Sequence, residues 1–437
     1  MNRDSKIGLF DLVSCLSEAM DFVDPAVVSH HKQVASIACG IGREMGLPPA
    51  KQREILLAGA LHDIGAFSLK ERKDILAFEI ENPHPHAEKG YALLRTFTPL
   101  AGIAPIVRFH HLPWNQGGGG EFQGQHVPLE SHIIHLADRV AVLIHKNSEV
   151  LSQVSGICRK VREETGRMFI PRVVDAFNNL ASKEYFWLDI VSPSPQTGLL
   201  QKFEHETAGL TLEDLVGFSR LFSRIIDFKS PFTATHSGGV AAVAETLSRL
   251  LGFAEDECRL MRVAGYLHDL GKLAVPAEIL GKPYRLTEKE FNVIRHHTFY
   301  TYRILETIPA LHVLNTWASF HHERLDGSGY PFHLTSKDIP QGSRIMAVAD
   351  VFTAITENRP YRAGMTRKNA VRVLDRMVRN SVIGKEIVAV LKANYDDVDA
   401  ARAHAQALAS ADYECVREGN KATMAHALRP PTEGVLS

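Results

Sequence analysis

The chain has 437 residues, 45% of them apolar and 23% charged, and its net charge is −1. That length holds two or three domains with full cores, and that balance makes neither disorder nor a coiled coil the default. Near-neutral charge removes any global electrostatic case for binding duplex nucleic acid or an anionic membrane, although a local cluster of arginine and lysine can still hold an anionic ligand.

The five cysteines, Cys15, Cys39, Cys158, Cys258 and Cys415, are far apart and form no CxxC pair. Scattered reduced thiols fit this pattern better than a disulfide frame or a structural zinc site. The first residues, MNRDSKIGLFDLV, carry an acid early and lack a long apolar stretch, so they make a poor signal peptide. No run of about 18 apolar residues occurs, so no membrane span is expected. These features lead to the expectation of a soluble, cytoplasmic protein. The outlier is histidine, with 22 residues that cluster.

In chain order, the predicted elements occur twice. LLAGALHDIGAF (56–67) matches RVAGYLHDLGKL (262–273), and RFHHLPWNQGGGG (108–120) matches SFHHERLDGSGYP (319–331). His30 pairs with His236, His62-Asp63 with His268-Asp269, His86 with His297, His110-His111 with His321-His322, and Asp138 with Asp350. The offset is 206 at the first two pairs, 211 at the next two and 212 at the last, the mark of a duplicated domain with insertions confined to loops. The repeat continues where GRMFIPRVVDAF (166–177) parallels NSVIGKEIVAVL (380–391). The expected domains are 1–192 and 193–408, followed by a loose tail over 409–437. The join is placed in the proline-rich VSPSPQTG (191–198).

Both repeats read as helical. In KEFNVIRHHTFYTYRIL, Phe291, Ile294, His297, Thr301 and Ile304 share one face at spacings of three and four. RKNAVRVLDRMV and VAAVAETLSRLLGF behave likewise, and alternating strand patterns are scarce. The expected fold is all-α, two tandem helical bundles with a polar site between helices.

In the second repeat, His236, His268, Asp269, His297, His321, His322 and Asp350 lie on mostly apolar helical segments. Five imidazoles and two carboxylates meeting in one core are unfavourable if left unpaired. Divalent ions resolve this, since neutral imidazole and carboxylate are ligands for iron, manganese or zinc, and an adjacent aspartate can bridge two ions. Two ions about 3.5–4 Å apart activate water and clamp a phosphoryl oxygen.

These residues and their surroundings resemble the HD-GYP domains, bacterial cyclic di-GMP phosphodiesterases of the HD hydrolase superfamily. The resemblance runs from about Leu221 to Leu391 and includes THSGGVAAVA, LHDLGKLAVPAEIL, LTEKEFNVIRHH, HHERLDGSGYP, IPQGSRIMAVADVF and NRPYR. Carried over by position, it implies that His236, His268, Asp269 and Asp350 surround one metal and that His297, His321 and His322 surround the other, with Asp269 bridging. Lys272 then contacts the scissile phosphate and, with Asp269, is the catalytic assignment. Gly329, Tyr330, Arg359 and Arg362 join Lys272 in binding substrate. The implied reaction is hydrolysis of cyclic di-GMP to linear pGpG and then GMP by a hydroxide bridging two metals. Iron or manganese is expected, with zinc, nickel and magnesium as alternatives. Cyclic GMP-AMP is the alternative substrate. A non-hydrolytic cyclic dinucleotide sensor and a nucleotide triphosphatase or alarmone hydrolase are the other readings. A homodimer or a signalling protein is a candidate partner.

Three departures from the family pattern stand out. Phe232 occupies the position of a glutamate that holds a third metal in some members, so two metals are expected. Thr353 replaces the second aspartate of DVFDAL, which puts rate or substrate preference in question. Thr301 replaces a glycine and is expected to crowd its helix. The first repeat keeps His30, His62, Asp63, His86, His110, His111 and Asp138 as a second candidate metal site. It has Ala66 in place of Lys272, HHLPWNQGGGG in place of the GYP segment, and no RPYR. It is expected to be a metal-binding, non-hydrolytic HD domain serving regulation, dimerisation or fold support. An empty structural relic is the alternative.

Overall fold

The computed structural model describes residues 7–21, 29–66, 78, 84–192, 209–229, 235–282, 284–358 and 363–418. The chain divides into two compact units, Ile7–Gly209 and a second beginning at Leu210. The division therefore falls at Gly209–Leu210 rather than at 192–193, and residues 193–208, which include most of the expected join, lie outside the described residues.

The amino-terminal unit contains α1 (Leu9–Asp21), α2 (His30–Glu44), α3 (Pro49–Leu61), α4 (His84–Leu94) and α5 (Ala104–Arg108). After a two-residue hairpin, Glu121–Phe122 against Gln125–His126, it continues with α6 (Leu129–Leu143), α7 (Val150–Glu163), α8 (Pro171–Ala181) and α9 (Glu184–Ile190). The carboxy-terminal unit contains α10 (Leu212–Lys229), α11 (His236–Leu250), α12 (Glu255–Leu267), α13 (Glu288–Glu306) and α14 (His312–Ser319). It ends with α15 (Gln341–Thr356), α16 (Arg367–Arg379), α17 (Lys385–Ala393) and α18 (Tyr395–Glu418). That hairpin is the one regular strand pairing among the described residues, so the fold is all-α.

Each unit is built on a helix pair that packs very closely, α2 on α3 and α11 on α12. A Cβ added at Gly59 would lie 2.8 Å from Ala35 Cα, and one at Gly265 would lie 2.4 Å from Ala241 Cα. Only glycine permits such an approach. The contact brings the start of one helix beside the end of the other, which is where the histidines are. Apolar side chains then seal the pair: Val34, Ile37 and Ile55 in the first unit and Val240, Val263, Ile345 and Phe352 in the second are fully buried.

Two expectations change here. The tail does not begin at 409, because α18 runs on to Glu418 and Asp412, only 8% exposed, takes Arg220 and Arg224 of α10 at 2.5 Å. Residues 419–437 lie outside the described residues. Phe291 was expected on the buried face of α13, yet it is 45% exposed, whereas His297, Thr301 and Ile304 are buried. The first turns of α13 extend past the core, and Phe291 packs edge-on to Tyr330 with ring centroids 6.4 Å apart.

Candidate active site

Helix ends supply most of the polar pocket in the carboxy-terminal unit. His236 opens α11, and His268 and Asp269 follow the last residue of α12. His321 and His322 follow α14, while His297 and Asp350 come from within α13 and α15. The structure brings all seven together. His236, His268 and Asp350 form one group whose ligand atoms lie within 4.8 Å of each other, and His297, His321 and His322 form another. Asp269 groups with His268 and His321, between the two.

The hydrogen bonds prepare these side chains to accept a cation. Nδ1 of His268, His297 and His321 points at the carbonyl oxygens of Gly265, Ile294 and Ala318, at 2.7, 2.5 and 2.6 Å. A carbonyl only accepts, so each Nδ1 carries the proton and each Nε2 presents a bare lone pair to the pocket. Two such Nε2 atoms, of His297 and His321, face each other at 3.4 Å. Burial pushes His297 down to about 3, so the ring stays neutral. Asp269 Oδ1 is buried without a hydrogen-bond partner, 3.4 Å from His297 Nε2. Leaving a buried acceptor unpaired costs about 1–3 kcal/mol. Opposed lone pairs beside a bare carboxylate oxygen are the donor set of a divalent ion, so the residues fit one.

Around this nest stand the other expected residues. Lys272 Nζ donates to Asp269 Oδ2 at 2.5 Å and is 19% exposed, within reach of a ligand. Burial opposes ionisation of Asp269, yet His268 and the Lys272 ammonium beside it hold it well below the usual carboxylate range. Gly329 packs so tightly that a Cβ would lie 2.4 Å from Arg324 N and 2.6 Å from His322 O. This docks the turn on the paired histidines and sets the Tyr330 ring 5.0 Å from that of His322. The Arg295 guanidinium lies over the Tyr330 ring, 5.0 Å from its centroid. Thr301 does not crowd α13. Its hydroxyl accepts from Gly271 N at 2.9 Å and donates to His268 O at 3.2 Å, bracing the turn that carries His268, Asp269 and Lys272. Arg359, Arg362 and Phe232 lie outside the described residues.

Sequence reasoning missed two carboxylates. Glu323, next after the paired histidines, is buried and accepts from Phe332 N at 2.7 Å and Leu334 N at 3.0 Å, pinning the far side of the GYP turn. Glu357 accepts from His236 Nδ1 at 3.0 Å, leaving Nε2 directed at Asp350 Oδ1, 3.1 Å away. Burial works against charge on His236, but Glu357 first and Asp350 next raise it to about 10. Gln406 of α18 donates to the same Glu357 oxygen at 3.1 Å. The available signal was spacing: Glu357 falls seven residues after Asp350, on the same helical face. Thr353 is fully buried with no hydrogen-bond partner for its hydroxyl. It abuts Gly239, where a Cβ would come within 2.9 Å of Thr353 Cγ2.

The amino-terminal unit repeats the arrangement. Asp63, His86, His110 and His111 place ligand atoms within 4.8 Å of one another, and His30, His62 and Asp63 form an overlapping group. Nδ1 of His62 and His110 again donates to carbonyls, Gly59 O at 2.8 Å and Val107 O at 2.6 Å. Access differs. The side chains of His111 and Asp138 are 4% and 1% exposed, against 32% and 12% for His322 and Asp350.

Comparison with known proteins agrees with this duplication. The HD domain family matches the chain twice, over residues 27–143 and 220–387. The chain is a tandem HD-domain protein. The 3'3'-cGAMP-specific phosphodiesterase 1 of Vibrio cholerae is 29% identical over 406 residues, covering 90% of this chain and 93% of the relative. The cyclic di-GMP phosphodiesterase response regulator RpfG of Xanthomonas campestris is 39% identical over 163 residues, 36% of this chain and 42% of its own. The crystal structure of a cyclic GMP-AMP specific phosphodiesterase of Vibrio cholerae covers 90% of the tandem HD chain and 98% of its own, with a TM-score of 0.60 at 21% identity, a likeness of fold. No described helix of either HD unit is long and apolar enough to cross a membrane.

Proposed function

We propose that the carboxy-terminal HD unit is a metal-dependent phosphodiesterase that opens a cyclic dinucleotide. The observation that carries this reading is the meeting of seven imidazole and carboxylate side chains beside Lys272 in a pocket open to solvent. His236, His268, Asp350 and Asp269 would hold one divalent ion, and His297, His321, His322 and Asp269 the other. When bound, such a pair supplies an activated water and neutralises charge building on a phosphoryl group. Asp269, held ionised, orients that water by accepting a hydrogen bond at Oδ1. Lys272 donates from its exposed side to a non-bridging phosphate oxygen, stabilising the charge that grows there. Tyr330 and Gly329 form the wall on which the nucleotide rests.

Cyclic di-GMP, cleaved to the linear dinucleotide and then to the mononucleotide, is the first substrate reading, supported by relatives matched over the carboxy-terminal unit. Cyclic GMP-AMP is the second, favoured because a relative matched across 93% of its length is specific for it. Iron or manganese suits five imidazoles and two carboxylates. The test incubates metal-loaded protein with each cyclic dinucleotide in anaerobic buffer and separates products by chromatography. Appearance of the linear dinucleotide from one substrate supports the reading and fixes the preference. Saturable binding without cleavage of either would make the unit a sensor instead.

A further inference from the structure

The amino-terminal pocket has a feature that its carboxy-terminal counterpart lacks. Arg139, next to the ligand-type Asp138, is 1% exposed and directs Nη2 at Asp138 Oδ2, 2.5 Å away, with Nε on the same oxygen at 3.2 Å. By the repeat offset its counterpart is Val351, an apolar residue. A guanidinium is always charged and cannot give up its proton here. It therefore sets a fixed positive charge against the carboxylate that would hold an ion on the His30 side, in an interior where charges are poorly screened.

Buried side-chain atoms without hydrogen-bond partners lie on both sides of the pocket, His62 Nε2 and Asp138 Oδ1 on the His30 side, but there the carboxylate is already paired with Arg139. On the other side, His86, His110 and His111 each bury an Nε2 with no hydrogen-bond partner, and Asp63 Oδ1 is buried and unpartnered as well. His86 Nε2 and His110 Nε2 lie 3.3 and 3.5 Å from Asp63 Oδ1. Four unpaired donor atoms converge where solvent does not enter. Three imidazole nitrogens and one carboxylate oxygen complete a four-coordinate shell for a borderline divalent ion. Ala66, fully buried in place of Lys272, offers nothing to a phosphate.

We propose that the amino-terminal unit binds one divalent transition-metal ion, on Asp63, His86, His110 and His111, and that Arg139 takes the charge position of a second ion beside Asp138. The ion is sealed from nucleotides and serves the fold of its unit. This inference does not depend on the phosphodiesterase reading of the other unit, and its test is arranged accordingly. The full-length chain carrying Asp269→Ala and His321→Ala, which disable the carboxy-terminal pocket, is titrated with cobalt(II) alone and read by visible absorption and by elemental analysis after desalting. One equivalent, with the intense d–d bands of a four-coordinate site, is expected. Adding His110→Ala abolishes it, and adding His30→Ala leaves it. Zero equivalents in the parent, or equal loss with His30→Ala and His110→Ala, overturns the assignment. Arg139→Val, which installs the other unit's residue, is expected to raise the capacity to two. A folded Arg139→Val chain that still takes one, or a parent that takes two, overturns the role given to Arg139. If Arg139→Val does not fold, the parent count decides alone. Cleavage is not read at any step, so a silent carboxy-terminal unit does not affect the outcome.

Discussion

The two HD units keep the same seven ligand-type residues and differ in what surrounds them. In the carboxy-terminal pocket His322 and Asp350 reach solvent, Lys272 sits on Asp269, and Gly329 docks the tyrosine turn against the histidines. In the amino-terminal pocket the same positions are closed, Ala66 replaces the lysine, and buried Arg139 pairs with the aspartate. Two further histidines, His31 and His135, are buried near this pocket, where the offset gives Ser237 and Ala347 in the other repeat. His31 Nδ1 lies 2.5 Å from Asp21, whereas Asp227, the counterpart of Asp21, takes Ser237 at 3.0 Å. A duplicated ligand set therefore does not imply a duplicated activity. Holding a cation requires only lone pairs directed inward, whereas acting on a phosphodiester also requires an opening and a cation within reach of the ligand.

The sharpest way to break this comparison is to remove the equivalent aspartate from each unit. Asp269→Asn is expected to lower kcat for cyclic dinucleotide cleavage by at least about 10³-fold, since it removes both a shared ligand and the acceptor for the attacking water. Asp63→Asn is expected to change the rate by less than about tenfold, because the amino-terminal pocket gives a substrate no entry. Steady-state kinetics on both variants decides it, and equal losses would mean the amino-terminal unit takes part in turnover.

Lys272→Ala comes next. Losing one charged donor to a phosphate should lower kcat/KM by about 10²-fold while the metal content stays at the wild-type value. Ala66→Lys should bring no activity to the other unit, where the lysine would enter a sealed interior. Elemental analysis beside the cleavage assay separates loss of the phosphate contact from loss of ions.

Glu357→Ala tests the carboxylate behind His236, which has no carboxylate counterpart: the offset from Glu357 leads to His145. Without Glu357 the His236 ring loses its anchor, and metal affinity on that side should fall about 10- to 100-fold. Glu357→Gln, still able to accept from Nδ1, should lose less. Competition with a chromogenic chelator measures both, and no change in either would reduce Glu357 to a structural contact with Gln406.

Much of this was legible in the sequence, because the repeat exposed it. One His-Asp dipeptide says little, but two copies of His30, His62-Asp63, His86, His110-His111 and Asp138 at near-constant offsets mark a pocket before any fold is known. The glycines of AGALHD and AGYLHD read as helix residues, and only the structure shows that Ala35 and Ala241 lie against them. Arg139 was invisible for a different reason. An arginine beside an aspartate reads as a solvated pair, and burial of both is a tertiary fact. Glu323 acts through backbone amides brought near by a loop, which periodicity does not encode, whereas Glu357 sits at helical spacing from Asp350 and only its pairing with His236 is a tertiary fact. The end of the second domain was missed because α18 is rich in alanine and has few large apolar residues, and its anchor, Asp412 on Arg220 and Arg224, spans about the whole unit in sequence.

Thr353 gives the smallest expected effect. The family aspartate at this position suggests that Thr353→Asp should restore a faster enzyme, but the local packing argues otherwise. Thr353 is fully buried against Gly239 at the meeting of α11, α15 and α18, and its hydroxyl already lacks a partner. An aspartate there would stand one helical turn from Glu357, which already bonds His236 and Gln406. Like charges at that spacing repel, and a new buried carboxylate finds no donor that Glu357 has not taken. Thr353→Asp is therefore expected to leave kcat within about twofold and to lower stability by about 1–3 kcal/mol, read by denaturant unfolding. The double variant Thr353→Asp with Glu357→Ala should recover part of that stability, since one carboxylate then serves the space of two. A rate gain in the single variant would mean that the position still belongs to the reacting pocket, and that the threonine, rather than Glu357, limits this unit.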